Sequence, residues 1–77
     1  MPSLDQLQPG QIARVDSITG SPALIQRVME MGLLEGEVVE VIGFAPLGDP
    51  MEIQLCGYRL SLRCAEAQGI QVTLHSS

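Results

Sequence analysis

Two cysteines, Cys56 and Cys64, a single histidine, His75, and nine carboxylates are the residues of this chain that could hold a metal or run acid–base chemistry. Their spacing argues against both. A ferrous facial triad needs two histidines and a carboxylate. Structural zinc takes closely spaced cysteine or histidine pairs, and here the cysteines stand eight positions apart with no C-x-x-C pair. With Asp49 as a further donor, only a site completed by a second copy through His75 stays open. The cysteines therefore read as free thiols of a reducing compartment. His75, close to the chain's end, cannot hold a catalytic base in fixed geometry. Glu35, Glu37 and Glu40 cluster, but Glu37 and Glu40 point to opposite faces of a strand and Glu35 lies in a turn, so they read as a solvated acidic rim. There is no lysine, which removes P-loop and Schiff-base chemistry. Four arginines (Arg14, Arg27, Arg59, Arg63) leave a net charge of −5, which argues against nucleic acid and anionic membrane surfaces. The chain is not expected to be an enzyme, and no cofactor is expected.

What remains is apolar surface on stiff loops. Phe44-Ala45-Pro46-Leu47-Gly48-Asp49-Pro50 sets an aromatic and a leucine on a proline-stiffened loop, where they form a protein-docking surface or fold back as a lid. Leu33-Leu34 is similar: one leucine is expected to close a helix C-terminus and the other to stay more exposed. The candidate partner-binding residues are Leu33, Leu34, Phe44, Pro46 and Leu47.

These residues need a scaffold. With 77 residues, 45% of them apolar, the chain allows one small domain over residues 1–77. No basic leader and no apolar run of about 18 residues is present, so a soluble, unsecreted protein is expected. Met51, Ile53 and Leu55, then Tyr58, Leu60 and Leu62, alternate with polar residues around a Cys56-Gly57 turn. The pattern predicts a hairpin pairing 55 with 58, 53 with 60 and 51 with 62, all on one inward face. Residues 70–74 read as a last strand. Residues 12–18 and 37–44 are strand-like with imperfect alternation, which implies a bulge near Asp16-Ser17 and strong bending. Ser21 as N-cap, Pro22 in the first turn and Gly32 just past the end predict a helix over about 22–31. About five strands and one inserted helix make a mainly β, small, partly open barrel.

An ordered set of segments is similar to the FeoA family. They are Leu4-x-x-Leu7-x-x-Gly10 leading into Ala13-Arg14-Val15, Arg27 to Leu33 with Glu35-Gly36, Val39-Glu40-Val41, Pro46 to Pro50, Gly57 to Arg63, and Glu66-Ala67-x-x-Ile70-x-Val72. The resemblance implies an SH3-like barrel with the helix between its first two strands. It also implies a non-enzymatic, cytoplasmic accessory role in bacterial Fe(II) uptake. The implied partner is the membrane ferrous iron transporter FeoB, at its cytosolic GTP-binding domain, with membrane contact only through that partner. A metal carrier or metal-responsive module is the alternative, and self-association is left open.

The ligand count yields the first prediction. Calorimetric titration of the isolated chain under reducing conditions is expected to show no tight Fe(II) or Zn(II) site in the monomer. A stoichiometric micromolar site lost in Cys56→Ser or Cys64→Ser would contradict it.

Overall fold

A computed structural model describes residues 2–55 and 57–75. After a 3-10 turn at Leu4–Gln6, the chain runs β1 (Ile12–Ile18), α1 (Pro22–Glu30), β2 (Val38–Phe44), β3 (Met51–Leu55), β4 (Tyr58–Leu62), α2 (Cys64–Ala67) and β5 (Ile70–Leu74). The strands form one antiparallel sheet in the order β4-β3-β2-β1-β5, and the sheet does not close. The mainly β, partly open architecture with one helix between β1 and β2 is therefore as the sequence implied. The short helix α2 and the 3-10 turn were not legible in the alternation.

Both expected irregularities are present. The β1–β5 register shifts between Val15 and Ser17, and the β2–β3 register shifts between Val41 and Gly43. Each extra residue bends its strand, so that Ala13, Val15, Val39 and Val41 stay inward while the sheet curls around them. At its bulge Asp16 accepts a hydrogen bond from the Thr73 hydroxyl of β5 and faces Arg14. These contacts hold its carboxyl below the usual range.

The helix is built from its caps. The Ser21 hydroxyl accepts the Leu24 N–H at 3.2 Å, and Pro22 opens the first turn. At the other end Gly32 adopts φ +97°, letting its N–H reach the Met29 carbonyl (3.0 Å) and the Leu33 N–H reach that of Val28 (3.3 Å). This Schellman closure drives Leu33 inward. Val28 and Leu33 then enter a core of Leu4, Leu7, Met51, Ile53, Leu55, Leu62, Ala67, Ile70 and Val72, among others.

The hairpin has the expected register, Leu55 to Tyr58, Ile53 to Leu60 and Met51 to Leu62. Its second strand does not face inward evenly, which corrects the sequence reading. Burial falls towards the turn: Leu62 is fully buried, Leu60 half-buried and Tyr58 44% exposed. As an edge strand β4 lacks a neighbour to cover its end, and the Tyr58 ring lies over the helix terminus instead, donating its hydroxyl to the Met31 carbonyl at 3.3 Å. A Cβ at Gly32 would meet that hydroxyl at 2.2 Å.

This gradient orders the cost of truncation. Leu62→Ala should destabilise by about 2–5 kcal/mol through a cavity, Leu60→Ala by about 1–2 kcal/mol, and Ser61→Ala by less than about 0.5 kcal/mol. Chemical denaturation checks the ranking, which fails if Leu60→Ala costs as much as Leu62→Ala.

Candidate functional site

The five candidate docking residues do not form one surface. Leu33 is fully buried in the core, and Phe44 is half-buried against it, so both leave the candidate set. The Schellman turn accounts for Leu33. Phe44 faces inward because it pairs with buried Met51 after the β2 bulge. Leu34, 43% exposed, precedes β2, whereas Pro46 and Leu47 follow it. The two loops therefore lie at opposite ends of the seven-residue strand.

Leu47 is the outlier among the large apolar side chains, at 96% exposure. Its loop is nevertheless held tightly. The Ala45 N–H donates to the Pro50 carbonyl at 3.0 Å, and the Gly48 N–H to the Ala45 carbonyl at 2.7 Å. The loop is then tied to the start of α2. Asp49 Oδ1 accepts the Cys64 N–H at 2.7 Å, and the Cys64 thiol donates to the Gly48 carbonyl at 3.1 Å. Gly48, at φ +89°, occupies the left-handed region that frees its carbonyl for this contact. Partial burial pushes the Cys64 thiol up, and the Asp49 carboxylate beside it adds to the shift. The thiol is therefore protonated at neutral pH and acts as a hydrogen-bond donor to the Gly48 carbonyl.

Helix α2 carries the rest of this junction. Glu66, 7% exposed, accepts the Arg63 N–H at 3.0 Å and pairs with Arg27 of α1 at 2.9 Å. Arg63 stands 3.9 Å from Asp49. Glu66 thus supplies one half of an N-terminal cap, and the arginine at the capping place, which has no acceptor, hides the pattern in the sequence. Among the described residues no cluster of three or more His, Cys, Asp or Glu side chains could hold a metal ion. Cys56, a candidate ligand by sequence, lies outside the described residues, and His75 is exposed on the tail.

A second apolar feature was missed by sequence reasoning. The outer side of α1 carries an open cleft of about 580 Å³ lined by Pro22, Ile25, Gln26, Met29 and Glu30. The signal was available: a nine-residue helix with Leu24, Ile25, Val28 and Met29 has too wide an apolar stripe to bury all of it.

The arrangement offers one rigidly mounted leucine in water, no catalytic set among these contacts, and a thiol used as a hydrogen-bond donor. Leu47→Asp should accordingly fold as the parent does, with unchanged circular dichroism and a stability within about 0.5 kcal/mol. Leu33→Asp should unfold, because an unpaired carboxylate in the core is very costly. An unfolded Leu47→Asp would return Leu47 to a structural role.

Comparison with known proteins agrees with this architecture. The FeoA domain family model matches residues 3–74. Over 74 residues, 96% of the chain, the sequence is 35% identical to the Fe(2+) transport protein A/Fe(2+) transporter FeoB fusion protein of Porphyromonas gingivalis, of whose length it spans 9%. The solution structure of the FeoA protein of Chlorobium tepidum is similar at TM-score 0.89 and 40% identity, covering 97% of this chain and 71% of that one. FeoA of Stenotrophomonas maltophilia, crystallised with zinc and described as a prokaryotic SH3 domain protein, is similar at TM-score 0.79 and 28% identity, covering 95% and 91%.

Proposed function

The chain belongs to the FeoA domain family, and from that premise we propose that it is a non-enzymatic accessory of Fe(II) uptake that docks on a ferrous iron transporter of the FeoB type. Its place of action is then the cytoplasm, on the transporter's cytosolic GTP-binding part, and it reaches the membrane only through that partner. The family as such is associated with Fe(II) transport. The observation that carries the docking reading is the fusion relative, in which the matching domain and FeoB share one chain. Tethering holds two modules at a high effective concentration, an arrangement that favours a contact between them even when the contact is weak.

In this chain the surface best suited to such a contact is Leu47. A leucine almost wholly in water contributes about 1.5–3 kcal/mol when a partner covers it. Because the loop is already fixed by Asp49, Cys64 and its internal hydrogen bonds, little further ordering entropy opposes docking. Pro46 and Pro50 limit the backbone further. Leu34, at the far end of β2, is a separate and smaller exposed patch.

Binding of the co-expressed transporter's cytosolic part to the immobilised chain tests the reading. The parent is expected to retain the partner, and folded Leu47→Asp to retain at least tenfold less. Undiminished binding by folded Leu47→Asp would remove Leu47 from the interface, and no binding by the parent would remove the docking reading itself.

A further inference from the structure

We propose that the outer edge of β4 takes up a short, extended, acidic segment of a partner chain as an additional strand of the sheet. This inference is independent of the Leu47 contact. A two-residue turn makes its flanking residues, Leu55 and Tyr58, a hydrogen-bonded pair, and the alternation makes 53/60 and 51/62 hydrogen-bonded pairs as well. Arg59 and Ser61 are then the residues whose N–H and C=O groups point away from β3. Both residues are exposed, and among the described residues their backbone groups have no partner on that side. The window is short, since Tyr58 turns onto the Met31 carbonyl at one end and α2 begins at Cys64 at the other. A strand docked there would exchange two hydrogen bonds with Arg59 and two with Ser61.

Charge selects the occupant. In a chain of net charge −5, two of the four arginines flank this edge. Arg27 is tightly held by Glu66 at 2.9 Å, whereas Arg59 reaches Glu52 only at 3.8 Å and Arg63 reaches Asp49 only at 3.9 Å. Their side chains are 61% and 73% exposed. With a screening length of about 8 Å at physiological salt, a docked carboxylate senses these guanidinium groups, with Glu52 and Asp49 beside them, more than the acids farther off. It can take over the outward N–H groups of both arginines. On the opposite face Leu60 is half-buried for want of a neighbour beyond β4. The fitting segment therefore places an apolar residue opposite Leu60, acidic residues opposite Arg59 and near Arg63, and no proline, whose missing N–H would break the ladder. A second copy of this chain fits less well. Pairing about a twofold axis at Leu60 would bring the two Arg59 side chains onto one face and join two bodies of charge −5.

The test uses the full chain labelled with 15N and a peptide Glu-Val-Thr-Val-Glu blocked at both ends, with Lys-Val-Thr-Val-Lys as control. Saturable amide shifts centred on residues 59–61 are expected with the acidic peptide and not with the basic one. Arg59→Glu should weaken binding about tenfold. Ser61→Pro should do the same, because it removes an outward N–H while leaving the β3 ladder; should it not fold, Arg59→Glu decides. The proposal is overturned by no shifts at millimolar peptide, by shifts centred on α1 or the Leu47 loop, by equal binding of the basic peptide, or by undiminished binding in Arg59→Glu. Sedimentation showing a dimer joined through β4 would overturn it in favour of a second copy.

Discussion

The sheet does not close, and its two edge strands, β4 and β5, are joined by a short connection, residues 63–69, that contains the four residues of α2. That constraint organises much of the molecule. So short a helix has no stability of its own, and it is held by what surrounds it. Asp49 takes its first N–H, Glu66 caps it from within, Arg27 reaches Glu66 from α1, and Ala67 is buried in the core. Just past it, Gly69 packs so close to the residue after β1 that a Cβ would clash with the Thr19 carbonyl oxygen. The same few residues therefore fasten the β2–β3 loop, the helix and the last strand to one another.

The proposed docking surface rests on the same junction. A loop that only had to connect β2 to β3 could leave its tip loose. Here the tip is pinned to α2 by a carboxylate and a thiol, and the pinned loop presents Leu47 to solvent. Cys64, which in another setting would suggest redox or metal chemistry, is spent on a carbonyl and kept protonated by its surroundings. The unclosed sheet has a second consequence on the β4 side, where backbone groups and two loosely paired arginines face outward together.

Much of the fold was legible in the sequence because it is written in local rules. The hairpin register follows from period-2 alternation around Cys56-Gly57, the helix from Ser21, Pro22 and Gly32, and both bulges from broken alternation. The exposure of the candidate docking residues was legible only in part. Leu33 and Leu34 have the same chemistry, and only the Schellman closure decides which one is buried. Phe44 looked like a loop residue, yet a bulge two positions earlier turns it inward. Tyr58 obeyed the pattern and still left the core, since an edge strand has no neighbour to bury its end. Helix α2 was invisible because its stabilising partners, Asp49 and Arg27, lie far away in sequence.

The central claim is that hydrogen bonds to α2 make the Leu47 loop rigid before any partner arrives. Backbone 15N relaxation of the free chain measures this directly at Leu47 and Gly48. The account predicts order parameters of about 0.85 at both positions, like those of the strands, with a fall below about 0.6 in Asp49→Ala while β1 to β5 stay unchanged. Values below about 0.6 in the parent chain, or no change on removing the Asp49 carboxylate, would contradict it.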